Sequence, residues 1–300
     1  KSLSMKRFFT GLSMFMVFTL LIGCQSKSKT GVVDEIDADT VIVDADQYVL
    51  FETSKGSFTI KLYRETPLHR HNMVKQVRKG IYDGQLFFGV QKNYKVQAGD
   101  PKSRGAKPGT VLGVDEENDT IMSEIQPTKF YHKRGAVGQA SLRQFNFSTS
   151  QQFYIITGTK SNDKTLANQE EKINKRYYKA VKDSLTQPYA KEIIEYREKK
   201  YNNKISVLND KLNKETDKIM ATRPVFKYSA EQIETYKTVG GAPTLDGFYT
   251  VFGEVIEGIE VVEAITQMHT DKNYRPSPDV KIIKATLIDN PQAATAEPVQ

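Results

Sequence analysis

The side chains able to do covalent or metal chemistry are few: one cysteine, Cys24, and four histidines in 300 residues. A single thiol makes neither an intrachain disulfide nor a cysteine-based zinc site, and the histidines show no metal-ligand spacing. His69 and His71 stand two apart on a predicted helix, hence on different faces. That spacing predicts a solvated helical surface rather than a metal pair. The other chemical signal is charge: 43 basic against 36 acidic side chains, a net of +7. Such an excess suits nucleic acid or an anionic membrane surface, so where the charge sits matters more than its size. Collagen-like and fully disordered classes fail, because Gly and Pro are ordinary and fifteen Phe with fifteen Tyr are available for burial.

The surroundings of Cys24 explain why it is alone. Lys6 and Arg7 precede an apolar run over residues 8–22, of signal-peptide rather than membrane-spanning length, which takes roughly 20 residues. The run ends Leu21-Ile22-Gly23-Cys24, which resembles the lipobox of bacterial lipoproteins, where the cysteine is acylated and becomes the first mature residue. The expected organisation is a signal peptide over 1–23, with Met5 as the start, and a lipid anchor at Cys24. Lys1, Lys6 and Arg7 leave with it, so the chain from Cys24 onward carries +4. Residues 24–47 read as a tether, with a possible short edge strand at Val41-Ile42-Val43. No acidic cluster follows Cys24, unlike some surface-exposed lipoproteins. The expected location is therefore a bacterial membrane, facing the periplasm.

From residue 48 the pattern becomes strands and a helix. Residues 48–53 and 57–63 flank a Ser54-Lys55-Gly56 turn, and Phe58, Ile60 and Leu62 alternate with polar positions as in a half-buried hairpin. A helix is predicted over 66–79, with Thr66 as N-cap, Pro67 in the first turn, Met73, Val74 and Val77 on one stripe and Gly80 at its end. A second helix is predicted over 257–268 on Ile259, Val261, Val262 and Ile265, and a last strand over 280–288. Residues 291–300 read as a frayed tail.

Gly80 to Gly84, Phe87, Tyr94-Lys95-Val96-Gln97-Ala98-Gly99-Asp100, His132-Lys133-Arg134-Gly135, Gln151 to Ile155, Leu245-Asp246-Gly247 and Val251 to Val255 resemble, in order and spacing, the motifs of cyclophilin-type peptidyl-prolyl isomerases. The resemblance covers about 48–159 and 236–290. It implies a mainly β fold with helices: a closed eight-stranded barrel capped by two helices. It also implies an activity that needs no cofactor and no metal. Rotation about a peptide bond costs roughly 18–20 kcal/mol, and Xaa-Pro bonds exchange between accessible cis and trans forms only slowly. The needs are a greasy hold on the proline ring, donors to the backbone, and a cation that favours the twisted state. The implied partners are proline-containing polypeptides and unfolded exported proteins.

Carried over residue by residue, the resemblance puts Gln97 as a catalytic donor and Phe87, Tyr94, Lys95, Ala140, Ser141, Gln152, Tyr154, Thr244, Leu245 and Tyr249 around the substrate. Tyr94, Lys95, Tyr154 and Leu245 replace a family pocket of phenylalanine, methionine, phenylalanine and leucine. Gly89 stands where the family has its catalytic arginine, and Phe88 where it has histidine. Lys95, Arg134 or Arg143 are the cations available to stand in. The bland alternatives are a snorkelling Lys95, a surface-paired Arg134 and a solvated Arg143.

Between the two blocks, residues 160–223 hold sixteen Lys or Arg against ten Asp or Glu, a net of +6, and no glycine. Leu166, Ile173, Tyr177, Ala180, Val181 and Leu185, then Ile194, Tyr201, Ile205, Leu208, Leu212 and Ile219, recur at helical spacing on either side of Pro188. They predict an inserted helical hairpin over 160–235, its second helix about 30 residues and roughly 45 Å long, followed by a Ser229/Gln232 capping box. Its interleaved charges suit a solvated face; gripping of substrate or partner by the apolar stripe is the sharper alternative. With the arm removed, the mature chain is slightly acidic. Nucleic acid is not expected as a partner.

Overall fold

The computed structural model describes residues 46–114, 119–141 and 146–291. Cys24, the signal peptide, the tether before Asp46, Arg143 and the tail from residue 292 lie outside them. The predicted hairpin is β1 (Gln47–Thr53) and β2 (Gly56–Leu62), paired antiparallel with Val49 opposite Ile60 and Phe51 opposite Phe58. Alternation turns these residues to one face, where the Phe51 and Phe58 rings stack with centroids 5.1 Å apart. They join β3 (Gly89–Gln91), β4 (Lys95–Ala98), β6 (Ala136–Gln139), β8 (Phe153–Ile156), β9 (Val251–Glu257) and β10 (Ile282–Ile288) in one eight-stranded sheet ordered β10-β1-β2-β9-β6-β8-β4-β3. A separate ribbon pairs β5 (Thr120–Met122) with β7 (Phe147–Thr149).

The sheet curls around its core without closing as a strand ladder, which corrects the expected closed barrel. Its edges, β3 and β10, do not pair with each other. The segment entering β3 crosses the gap instead, through the Leu86–Lys281 bridge and the Phe87 N–H donating to Val280 O at 2.9 Å. The chain needs the end of this segment for the short β3, so the edge is latched rather than zipped.

Helix α1 (Pro67–Arg78) and α6 (Ile259–Thr266) lie against the core with Met73, Val74, Val77, Val262 and Ile265. Thr66 is the N-cap of α1 by position only. Its hydroxyl donates to Tyr63 O, and the first helical N–H groups, Leu68 and His69, are taken by the Glu124 carboxylate at 3.2 and 3.0 Å. The same carboxylate bonds His69 Nδ1 at 2.7 Å, and Nε2 meets Ser148 Oγ at 2.9 Å. His69 is fully buried, contrary to the solvated surface expected of it, because the β5–β7 region covers that face of the helix.

The insertion differs from a two-helix hairpin. Helix α2 (Asp163–Thr186) is one piece, but its partner is broken into α3 (Ala190–Glu198) and α4 (Asn202–Ala221). Lys200 takes φ +56°. Tyr201 N–H bonds Tyr196 O and Lys200 N–H bonds Arg197 O, a paired helix-ending turn in which the left-handed position is usually glycine. Leu208 and Leu212 of α4 are buried, whereas α3 buries none of its residues and leaves Ile194 exposed. Glu195 pairs with Lys199 at 2.7 Å, and Tyr196 donates to Glu192. The root of the arm is apolar: Leu166 and Ile173 pack with Phe226, Tyr228 and Tyr236, and α5 (Ala230–Thr238) opens on the predicted Ser229/Gln232 capping box.

Candidate active site

Strand alternation in β4 sends Val96 and Ala98 into the core and Lys95 and Gln97 to the opposite face. On that face β8 contributes Tyr154, the end of β6 leads into Ala140 and Ser141, and the chain after α5 brings Leu245 and Tyr249. These seven residues line one cleft of about 100 Å³. Lys95, Gln97 and Ser141 supply its polar groups. Leu245, Ala140 and the rings of Tyr154 and Tyr249, which meet edge to face at 6.1 Å, supply its apolar surface.

The remaining expected site residues are near but do not line it. Tyr94 packs with Tyr154 and Leu245, and its hydroxyl meets the Thr244 hydroxyl at 3.2 Å on the rim. Gln152 is buried behind Gln97 and accepts from its Nε2 at 3.1 Å. Phe87, expected to touch substrate, is fully buried in the barrel core, its ring 6.5 Å from Phe58. It faces inward because its backbone is used to latch β10. Arg134 is engaged elsewhere, its Nε donating to Glu263 at 2.5 Å.

Lys95 is the cation in the cleft. Its Nζ donates to Gln97 Oε1 at 3.0 Å and sits 4.9 Å from the centre of the Tyr154 ring. Burial pulls its pKa down to about 8. The Gln97 amide is thereby held at both ends, its oxygen by Lys95 and one N–H by Gln152; an amide nitrogen carries a second N–H, which is what a bound carbonyl requires.

Behind the cleft lies a buried network. The Tyr154 hydroxyl meets His132 Nε2 at 2.8 Å, and His132 Nδ1 meets Asp246 Oδ1 at 2.7 Å. Asp246 Oδ1 also accepts from His132 N, while Oδ2 accepts from Tyr228 and Tyr236 at 2.8 and 2.5 Å. With Nδ1–H donated to the carboxylate, Nε2 of a neutral imidazole is left as acceptor for the phenol. Burial raises the Tyr154 and Tyr236 hydroxyls well above the ordinary phenol range, so both remain donors. Tyr228 lies in the predicted arm, Tyr236 lies on α5 just past its predicted end, and Asp246 follows Leu245 directly. The arm thus anchors the pocket wall. From α2, Arg176 adds to this, lying 4.6 Å over the Phe248 ring and donating to Gly247 O.

The family model described as cyclophilin type peptidyl-prolyl cis-trans isomerase/CLD matches residues 48–179 and 194–287, most of the chain. The chain belongs to the cyclophilin family. Among this cyclophilin's relatives, the peptidyl-prolyl cis-trans isomerase CYP18-2 of Arabidopsis thaliana is 24% identical over 243 residues, covering 80% of this chain and 93% of that protein. The peptidyl-prolyl cis-trans isomerase-like 1 of Aspergillus fumigatus is 22% identical over 243 residues, covering 80% and 95%. A crystal structure of a Cryptosporidium parvum cyclophilin type peptidyl-prolyl cis-trans isomerase matches with TM-score 0.47 and 18% identity, over 82% of this chain and all of that one.

His132 and Asp246 stand in the motifs His132-Lys133-Arg134-Gly135 and Leu245-Asp246-Gly247, but nothing in either motif says that they bond each other. Gly138 had no signal at all. It stands opposite Tyr154 in the β6–β8 ladder, where a Cβ would lie 2.4 Å from the ring. Only a residue without a side chain lets that ring lie flat across the strand as the pocket floor.

Proposed function

We propose that this cyclophilin is a membrane-held isomerase of Xaa-Pro bonds in exported proteins, anchored through Cys24 on the periplasmic side. The observation that carries the catalytic reading is the single cleft formed by Gln97, Ala140, Tyr154, Leu245 and Tyr249: apolar surface for a proline ring beside an amide donor for the backbone. Isomerisation requires little more. The ring is gripped, the preceding peptide is held by Gln97, and the bound geometry favours the twisted state, in which the nitrogen is pyramidal, over either planar one. The anchor and the export role rest on the Leu21-Ile22-Gly23-Cys24 motif and its preceding apolar run.

A second reading has its own observation. Gly89 leaves the cleft without the guanidinium that the family resemblance implies, and this favours a slow enzyme that mainly holds proline-containing chains. A protease-free exchange assay on a short Xaa-Pro peptide separates the two. Acceleration above buffer, lost in Gln97→Ala, supports the isomerase; a rate equal to buffer with measurable peptide binding supports the holding module. For the anchor, metabolic labelling with a fatty acid in a bacterial host should mark the full chain and not Cys24→Ala.

A further inference from the structure

A proline pocket asks for apolar walls, and this one contains an ammonium. Lys95 has no carboxylate within 4.0 Å among the described residues; its contacts are an amide oxygen and a ring face. An ammonium carries three N–H donors, and an amide oxygen with a π face neutralises none of its charge. The other described residues that line the cleft carry no carboxylate. Ser141 and Gln97 flank it, and the Tyr249 hydroxyl is raised above its usual pKa by burial. Arg176 lies close enough to Tyr249 to offset part of that shift. Asp246, which supports Tyr154 from behind through His132, is already engaged by His132, Tyr228 and Tyr236. A partly desolvated cation of this kind, reachable from solvent through the cleft, attracts an anion more strongly than a surface lysine would.

We propose that Lys95 is a specificity-determining residue and that the cleft selects proline-containing ligands bearing a carboxylate next to the proline. The inference rests on the proline-pocket reading above. The ring sits against Leu245, Tyr154 and Tyr249, and the carboxylate reaches Lys95 Nζ beside the Tyr154 ring, adding a charge-assisted bond to the one that Gln97 already accepts. Two sources supply that group: an Asp or Glu side chain preceding proline, or the free carboxylate of a chain ending in proline. A compact ammonium serves either, since it makes no demand for the planar fork that arginine presents.

The test is calorimetric binding of four peptides to the wild-type chain, Lys95→Met and Lys95→Arg. One pair, Ala-Glu-Pro-Phe and Ala-Gln-Pro-Phe with both ends blocked, probes the side-chain source. The other, Ala-Ala-Pro as free acid and as amide, probes the terminus. In at least one pair the wild type should prefer the carboxylate by about tenfold, the order expected of one charge-assisted bond. The preference should persist in Lys95→Arg and fall to about one in Lys95→Met. Equal binding within both pairs by the wild type overturns the inference while leaving the proline pocket standing. A preference that survives unchanged in Lys95→Met also overturns it. Failure of the wild type to bind any of the four removes both.

Discussion

Gly89 faces Gln97 directly across the β3–β4 ladder, and a Cβ added at Gly89 would lie 3.1 Å from Gln97 Cβ. Directly opposed residues share a face of the sheet, so a side chain at 89 would rise beside the amide that lines the cleft. The position implied for the arginine is therefore in the right place and lacks only its side chain. The contact is tight by a few tenths of an ångström, and β3 is a short edge strand able to give.

Gly89→Arg should raise the exchange rate on an Xaa-Pro peptide by about tenfold or more, within the range seen for restoring one preorganised donor or cation. Gly89→Ala adds the same Cβ without the charge and should give no gain. Equal rates for the two variants would mean that the missing guanidinium is not the defect.

Lys95 ties stability to pH. Its folded pKa of about 8 lies below the unfolded value of 10.5, so between these limits the unfolded chain holds more protons and stability from this group rises with pH. Below about pH 8 the whole cost of burying the ammonium is present. The titratable groups facing it are Tyr154 and Tyr249, whose pKa values burial raises, together with Tyr94. Lys95→Met should be more stable than wild type at pH 7 and lose most of that advantage by pH 10. Urea midpoints at the two pH values check this, and parallel curves would refute it.

Asp246 accepts from four donors, so Asp246→Asn replaces an acceptor oxygen with an N–H pointing at donors. Unfolding free energy should fall by about 3 kcal/mol. Because Leu245 is the next residue, peptide affinity should fall with it. A loss below about 1 kcal/mol in denaturant titration would show that the node is not a support of the fold.

Tyr154→Phe keeps the ring and removes the hydroxyl that His132 Nε2 meets. It should cost about 1–2 kcal/mol of stability, the penalty of one buried unpaired group, and leave peptide binding within about twofold. A large loss of binding with stability intact would place the hydroxyl, rather than the ring, in contact with ligand.

Lys200→Gly relieves a side chain held at φ +56°. A left-handed non-glycine residue costs about 1–2 kcal/mol, partly offset by the entropy of glycine. Amide exchange in α3 and α4 should slow by about threefold, with the barrel amides unchanged. Faster exchange would show that the break is held by contacts of the lysine itself.

How much of this was legible beforehand follows physical lines. The β1–β2 hairpin, α1, α6 and the Ser229/Gln232 cap were readable because each is set by neighbours in sequence: period-two alternation, a 3.6-residue stripe, a turn residue, a side chain bonding three positions on. The ordered motifs are readable through their resemblance to a family rather than through local physics, and seven of the residues carried over from it surround one cleft. Phe87 could not be assigned to the core, nor His69 to a buried pair with Glu124, since both depend on segments distant along the chain.

The sharpest division runs through Lys95 and Asp246. That a lysine occupies a pocket position, and that glycine stands where a guanidinium is expected, follows from the family resemblance alone. Whether that lysine is screened, paired or stranded depends on how Gln97 of the same strand is turned, on Tyr154 across the β4–β8 pair and on Tyr249 more than 150 positions away. The inserted arm likewise shows its helical period and its charge of +6 in sequence. Its attachment to the site arises where Tyr228 reaches the Asp246 carboxylate and Arg176 reaches Gly247 and Phe248. Local periodicity encodes elements because backbone geometry is local; electrostatic environment and support are sums over the folded surroundings, and they exist only once the chain has closed around them.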